Sequence, residues 1–241
     1  MKEENKKKLT QLFKLASILY SLDGLYIDIS KNLFNDNNPD DKFKKLEKLK
    51  LEVKKCRNCN LYQTRTNVVF GEGNINAELM FIGEAPGYEE DKQARPFVGK
   101  AGELLNKIIQ AMNLNREEVY ITNVVKCHPV EIPDPQLRNN DRPPTLEEIK
   151  ACINYLHHQI EIISPKVICC LGSIAAKTLT GNDVPISELR GKIFEYKYSG
   201  LDIKVIPTYH PAALLRNPSL KPYVWKDMKL IMKILGIHEK K

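Results

Sequence analysis

Three short stretches of the chain carry side chains that can do chemistry, and each follows an apolar run. After Leu79-Met80-Phe81-Ile82 comes GEAPGYEED, a Gly/Pro-kinked loop holding Glu84, Glu89, Glu90 and Asp91. Late in the run VYITNVVK comes Asn123, then Cys127 and His128, and YHPAALLRNP places His210 after a fourth such run. An acid, an amide and an imidazole can therefore meet at one rim. The loop is not a phosphate cradle. Gly99-Lys100 is followed by Ala101, Ala94 stands where a P-loop has its first glycine, and no G-x-G-x-x-G follows the strand. Carboxylates repel phosphate, so this loop suits a neutral group or a developing positive charge.

The elements that must position these residues alternate. ELMFIGEA, VYITNVVK, KVICCLG and KVIPTYH are β-branched apolar runs bounded by turns. Helical patterns follow at about 99–112, 145–163, 173–180 and 223–235, RPFVGKAGELL being the start of the first. Residues 191–206 have the pattern of a hairpin. Alternation of this kind predicts a parallel sheet covered on both faces, with its ligand beyond the carboxyl ends of the strands. Ahead of it, residues 4–22 have helical spacing, 30–41 are turn-rich and linker-like, and FKKLEKLKLEVKKC predicts a second helix. We expect an N-terminal helical extension and linker over 1–45 and one α/β domain over 46–241.

The 241 residues carry a formal net charge of +7. That balance fits a polyanionic partner and fits ordinary solubilising charge equally well. With no long uncharged apolar run and no signal-like start in MKEENKKK, the expectation is a cytoplasmic protein with no membrane contact. The six cysteines are then no disulfide framework. Cys56 and Cys59 form a C-x-x-C, Cys127 follows a strand, Cys152 opens a helical run, and Cys169 and Cys170 sit in a buried-strand pattern as small core residues.

GEAPGYEED, RPFVGKAGELL, ITNVVKC and HPAALLRNP, in that order behind a C-x-x-C, resemble family 4 of the uracil-DNA glycosylases, the iron–sulfur-containing branch; the resemblance covers roughly residues 50–235. It implies a three-layer α/β/α sandwich around a mostly parallel four-stranded sheet, and an enzyme that flips deoxyuridine out of single- or double-stranded DNA and hydrolyses its N-glycosidic bond. It places the uracil-reading amide at Asn123, whose donor and acceptor suit O4 and N3–H and oppose the pattern of cytosine. The stacking aromatic falls at Phe97. The imidazole beside uracil O2, where negative charge collects as the bond breaks, falls at His210.

Family 1 relatives carry an Asp and a Tyr where this chain has Ala85 and Gly87, so the resemblance moves part of their work to Glu84 and Glu90. We expect Glu84 to act on water or on the sugar side, and Glu90 to shape the pocket against thymine. For DNA contact we expect Leu214 or Leu215 as a wedge, Arg216 on a phosphate, and Lys100 beside the pocket loop.

The resemblance makes Cys56, Cys59, Cys127 and Cys152 the ligands of a structural [4Fe–4S] cluster, although spacing alone suits zinc as well. The chain departs from the family in the long segment between Cys127 and Cys152, with His128 where Arg is frequent, and in its first 45 residues or so, which could pack, make an oligomer contact or dock a repair or replication protein. We expect a monomer and a monofunctional enzyme. The alternatives are a catalytically idle iron–sulfur DNA-binding or polymerase-accessory module, a zinc-containing nucleic-acid protein, and a glycosylase of broader deaminated-base specificity.

Overall fold

A computed structural model describes residues 39–238, apart from 135, 139 and 197–199. The helix expected over 4–22 lies outside the described residues. Helix α1, Pro39–Lys54, begins inside the stretch expected to be a linker and runs across the expected 45/46 boundary. Proline at a first helical position costs nothing, because the amide it lacks would have no partner there. From Pro39 onward the chain belongs to one compact unit.

The short helix α2, Leu61–Thr64, leads into a six-stranded sheet of order β1-β3-β2-β4-β6-β5. Its strands are β1 Glu72–Gly73, β2 Leu79–Gly83, β3 Tyr120–Asn123, β4 Val167–Leu171, β5 Phe194–Glu195 and β6 Lys204–Thr208. The inner four are parallel, as the strand–helix alternation requires. The two edge strands are antiparallel, two residues long each, and bring the count above the expected four. A two-residue strand has no periodicity to detect. Strand β5 pairing with β6 is the expected hairpin over 191–206.

Helices α3 Tyr88–Gln93, α4 Lys100–Ala111, α5 Leu146–Ile163, α6 Ser173–Thr180, α7 Ile186–Leu189, α8 Pro211–Arg216 and α9 Lys221–Leu235 complete the described α-helices. Successive strand residues face opposite layers. Met80, Ile82, Ile168, Cys170 and Val205 pack with α5 and α6, whereas Leu79, Phe81, Val167, Cys169 and Ile206 pack with α4 and α9. Cys169 and Cys170 are fully buried, one on each face, and burial raises both thiols.

Helix α5 starts with a capping box. Thr145 accepts from the Glu148 amide at 3.2 Å and Glu148 accepts from the Thr145 amide at 2.8 Å, the arrangement that TLEE ahead of an apolar stripe encodes. Arg142 then grips the Glu148 carboxylate with two bonds, at 2.7 and 2.8 Å. This fixes the end of the long segment after Cys127.

On the other flank Asp227, 1 % exposed, takes Thr208 Oγ1 at 2.6 Å and Arg190 Nε at 3.0 Å, so α9, β6 and the turn after α7 share one buried charge. Burial raises the Asp227 carboxyl pKa, and the bonds from Thr208 and Arg190 pull it back. Removing the guanidinium strands that carboxylate, so Arg190→Ala should cost about 3–5 kcal/mol in urea unfolding, more than a typical exposed arginine does.

Candidate active site and cysteine pocket

The carboxyl ends of the parallel strands build one rim. Gly83, last in β2, pairs with Asn123, last in β3. A β-carbon on Gly83 would lie 2.4 Å from Asn123 Oδ1 and 2.5 Å from Phe97 Cζ, so the missing side chain is what lets amide and ring lie together. Asn123 is 2 % exposed, and Oδ1 is the single buried side-chain polar atom among the described residues without a hydrogen-bond partner. The Phe97 ring sits 5.6 Å from the His210 ring, centroid to centroid. The structure therefore brings Asn123, Phe97 and His210 into one cluster.

Phe97 holds φ +51°, a left-handed conformation uncommon for an aromatic residue, and neighbours enforce it. Arg116 donates to the carbonyls of Pro96 at 2.5 Å and Phe97 at 3.3 Å, to Asn106 Oδ1 at 2.7 Å and to Glu72 at 2.9 Å. Gly102 of α4 passes so close that a β-carbon there would lie 1.9 Å from the Phe97 carbonyl oxygen. Glu90 Oε1 accepts the amides of Val98 and Gly99 at 3.1 and 3.2 Å, at the positive N-terminal end of α4. Its other oxygen lies 3.1 Å from where a Gly87 β-carbon would be. Glu90 thus anchors the Phe97 loop and flanks Gly87.

Glu84 follows Gly83 directly, and burial alone raises its carboxyl pKa above the ordinary value. Ala85 packs against the apolar layer of α5 and α6. Asp91 is not part of a solvated acidic cluster: it is 2 % exposed and accepts the Thr66 and Asn67 amides at 2.9–3.1 Å. It binds the acidic loop to the segment after α2.

His210 caps α8, its Nδ1 accepting from the Ala212 amide at 3.1 Å. That assigns the ring proton to Nε2, leaving one N–H donor. Gly172, at φ +95° after β4, makes the room, since a β-carbon there would lie 3.1 Å from His210 Cβ. Burial, and then the nearby Arg216 charge, lower the His210 pKa to about 4.

In α8 the expected wedge pair divides. Leu214 is 2 % exposed and packs in the layer of α4 and α9, so it cannot reach DNA; Leu215 is 48 % exposed. Positions one apart on a helix point about 100° apart, and only one can face the core. Arg216 and Lys100 are exposed.

The four candidate cysteine ligands line one pocket, walled by Val53, Val125, Ala151 and Tyr155. Arg65 staples it. One guanidinium nitrogen donates to Cys127 Sγ at 3.2 Å, another to the Lys54 and Cys56 carbonyls at 3.2 and 2.9 Å. The Lys126 amide donates to Cys152 Sγ at 3.3 Å. Burial pushes the Cys127 thiol up to about 12 against the pull of Arg65. Lys126 itself is fully buried, with Nζ donating to Thr122 Oγ1 at 2.7 Å and to the Asn123 carbonyl at 2.6 Å. It joins the cysteine pocket to the base of the Asn123 side chain. Arg65, Lys126 and Arg116 carry no sequence signal of these roles, because each acts on backbone or thiol groups brought near only by the fold.

The family model described as the uracil DNA glycosylase superfamily matches residues 70–229, and the chain belongs to this superfamily. Within it, the similarity is to the type-4 branch. The type-4 uracil-DNA glycosylase of Sulfurisphaera tokodaii is 47 % identical over 194 residues, which is 78 % of this chain and 84 % of that one. Its counterpart in Archaeoglobus fulgidus is 43 % identical over 195 residues, 79 % and 94 % of the two chains, and that of Thermotoga maritima 47 % over 180 residues, 73 % and 88 %.

A buried imidazole with a depressed pKa stays neutral where a free one charges. In an NMR titration of the folded protein, His210 should hold its neutral shifts as pH falls through 6.5 and protonate only near pH 4. Because the unfolded chain binds that proton first, His210's effect on stability is fully favourable above pH 6.5 and is lost as pH drops toward 4.

Proposed function

We propose that the protein is a uracil-DNA glycosylase that draws deoxyuridine out of the helix and hydrolyses its N-glycosidic bond, leaving an abasic site. The observation that carries this reading is the unpaired Asn123 Oδ1, a buried acceptor beside the Phe97 ring. An unsatisfied buried acceptor costs about 1–3 kcal/mol. The N3–H of uracil satisfies it, whereas cytosine offers N3 as an acceptor and an amino group at position 4. Phe97 supplies the stacking face, and its forced backbone keeps the ring in place when the pocket is empty.

His210 Nε2–H is the donor for O2 as the glycosidic electrons move into the base. It is strongest in the transition state, where that oxygen is most negative. Glu84 serves the sugar side, aligning water or balancing oxocarbenium charge. Glu90 closes the C5 side over Gly87. Leu215 takes the space of the flipped nucleotide, while Arg216 and Lys100 meet the phosphates. The partner is uracil-containing DNA, the working form a monomer and the location the cytoplasm. No helix among the described residues is long and apolar enough to cross a membrane. The N-terminal extension over residues 1–45 is proposed as a docking segment for a repair or replication protein.

The cysteine set suits a [4Fe–4S] cluster. Four thiols line one pocket and two receive N–H bonds to sulfur, which tune a bound cluster. The choice of a cluster over zinc follows the resemblance to the iron–sulfur-containing branch. When bound, the group supplies a structural tie between the turn after α1, the loop after β3 and helix α5. Protein purified without oxygen should be brown and contain iron and sulfide; Cys127→Ser should lose colour and metal together, and a colourless, zinc-loaded wild type would refute the cluster.

Base release from duplexes carrying one U, with T, C and hypoxanthine controls, tests the reaction. Alkali-dependent strand breaks at U are expected, His210→Ala lowering kcat by about 10²–10³-fold and Asn123→Ala eroding the preference for U over C. Release of hypoxanthine would assign the broader specificity. No release from cluster-loaded protein would leave a DNA-binding module instead.

A further inference from the structure

The long segment between Cys127 and Cys152 has no role in the account so far, yet it returns to the pocket. Its neck is ordered. Val130 and Asp141 form an antiparallel bridge, the Glu131 amide bonds the Asn140 carbonyl at 3.0 Å, and the Arg142 amide bonds that of Pro129 at 3.2 Å. Arg142 Nε adds a bond to the Val130 carbonyl at 3.0 Å. The Asn140 side chain, buried, both donates to and accepts from Ile132 at 2.7 and 3.0 Å. At the end of this neck Asp141 Oδ1 lies 2.6 Å from Nε2 of His128, a side chain only 3 % exposed. The second oxygen of Asp141 is turned elsewhere. A β-carbon on Gly87 would lie 3.3 Å from Asp141 Oδ2 and 3.1 Å from Glu90 Oε2.

Two carboxylates from distant parts of the chain thus converge on the space a Gly87 side chain would enter. Each is pinned through its other oxygen, Glu90 by the Val98 and Gly99 amides and Asp141 by His128. Neither can swing away without breaking a bond. Asp141 is 58 % exposed and forms the outer lip, while Glu90 is half-buried and forms the inner one.

We propose that Asp141 is a specificity-determining residue that closes the C5 side of the pyrimidine pocket over Gly87 together with Glu90. This rests on the uracil reading of the pocket. Uracil and thymine present the same hydrogen-bonding edge, so only bulk at C5 can separate them. A methyl or halogen directed at Gly87 would collide with both carboxylates and strip water from their oxygens. The long segment then serves to deliver Asp141 to this point.

The test uses the full-length protein and duplexes carrying uracil, 5-bromouracil or thymine opposite guanine. Asp141→Ala should raise the rate ratio of 5-bromouracil to uracil by about tenfold or more, the scale on which a pocket senses one small group. Asp141→Asn, of equal volume and still able to meet His128, should keep the wild-type ratio. A loop that only braced the fold would change the rates without changing the ratio. Should the alanine variant not fold, Asp141→Ser makes the same opening. A ratio within about twofold of wild type in the opened variant, with uracil still released by the wild type, overturns the role of Asp141 alone. Wild-type protein that releases no uracil overturns the pocket reading and this role with it.

Discussion

The site depends on one unmet need, the side-chain Oδ1 of Asn123, which lies buried with no protein donor. Left in place, it is a standing cost, and a fold tolerates that only where the surroundings prevent the amide from turning to find a partner. Here they do. Asn123 is the last residue of β3, in register with Gly83, so its backbone is held by the sheet. Its backbone carbonyl accepts from Lys126 Nζ, which also bonds Thr122 Oγ1. Gly83 leaves a slot into which this amide and the Phe97 ring reach. On the proposed reading, a base that brings an N–H to the oxygen satisfies what folding left unsatisfied, and one that brings an acceptor meets repulsion. In the proposed function, recognition rests on this one buried acceptor.

Keeping such an acceptor in place requires stiffness around it, and the stiffness comes from charged groups spent on backbone. Arg116 fixes the Pro96 and Phe97 carbonyls, Glu90 the Val98 and Gly99 amides, Asp91 the Thr66 and Asn67 amides, and Arg65 the Lys54 and Cys56 carbonyls. Each joins segments far apart in the chain across a loop with no ladder of its own. The cysteine pocket belongs to the same scheme. Cys127 lies four residues past Asn123 and Cys152 lies on α5, so tying these thiols together would fix the exit of β3, just where the amide must not move.

Much of this was legible in the sequence and some was not, for physical reasons. The four inner strands and the helices that cover them follow from apolar periodicity. Asn123, Phe97 and His210 were legible through the resemblance, and the geometry brings them together. Edge strands two residues long were not, because pairing there is decided by the partner rather than by local pattern. The burial of Leu214 and exposure of Leu215 hang on the rotation of a six-residue helix, too short to display a period. Arg116, Asp91 and Asp141 were hidden for a third reason. A charged residue in a polar segment looks solvated until the fold shows what it grips.

The two titratable groups at the rim share one cause with opposite signs. Burial raises the Glu84 carboxyl and lowers the His210 imidazole, in each case by disfavouring charge. For His210 that direction suits the work. A charged imidazolium would attract any anion to the empty pocket and would need its own counter-charge, whereas a neutral ring fixed by the Ala212 amide offers one aimed donor and no field until negative charge appears at O2. On the proposed reading, DNA over the rim would deepen the burial, the larger cause of the shift. A phosphate meeting Arg216 removes only the smaller one. In the proposed reaction the imidazole acts as a neutral donor, and the site supplies orientation more than charge.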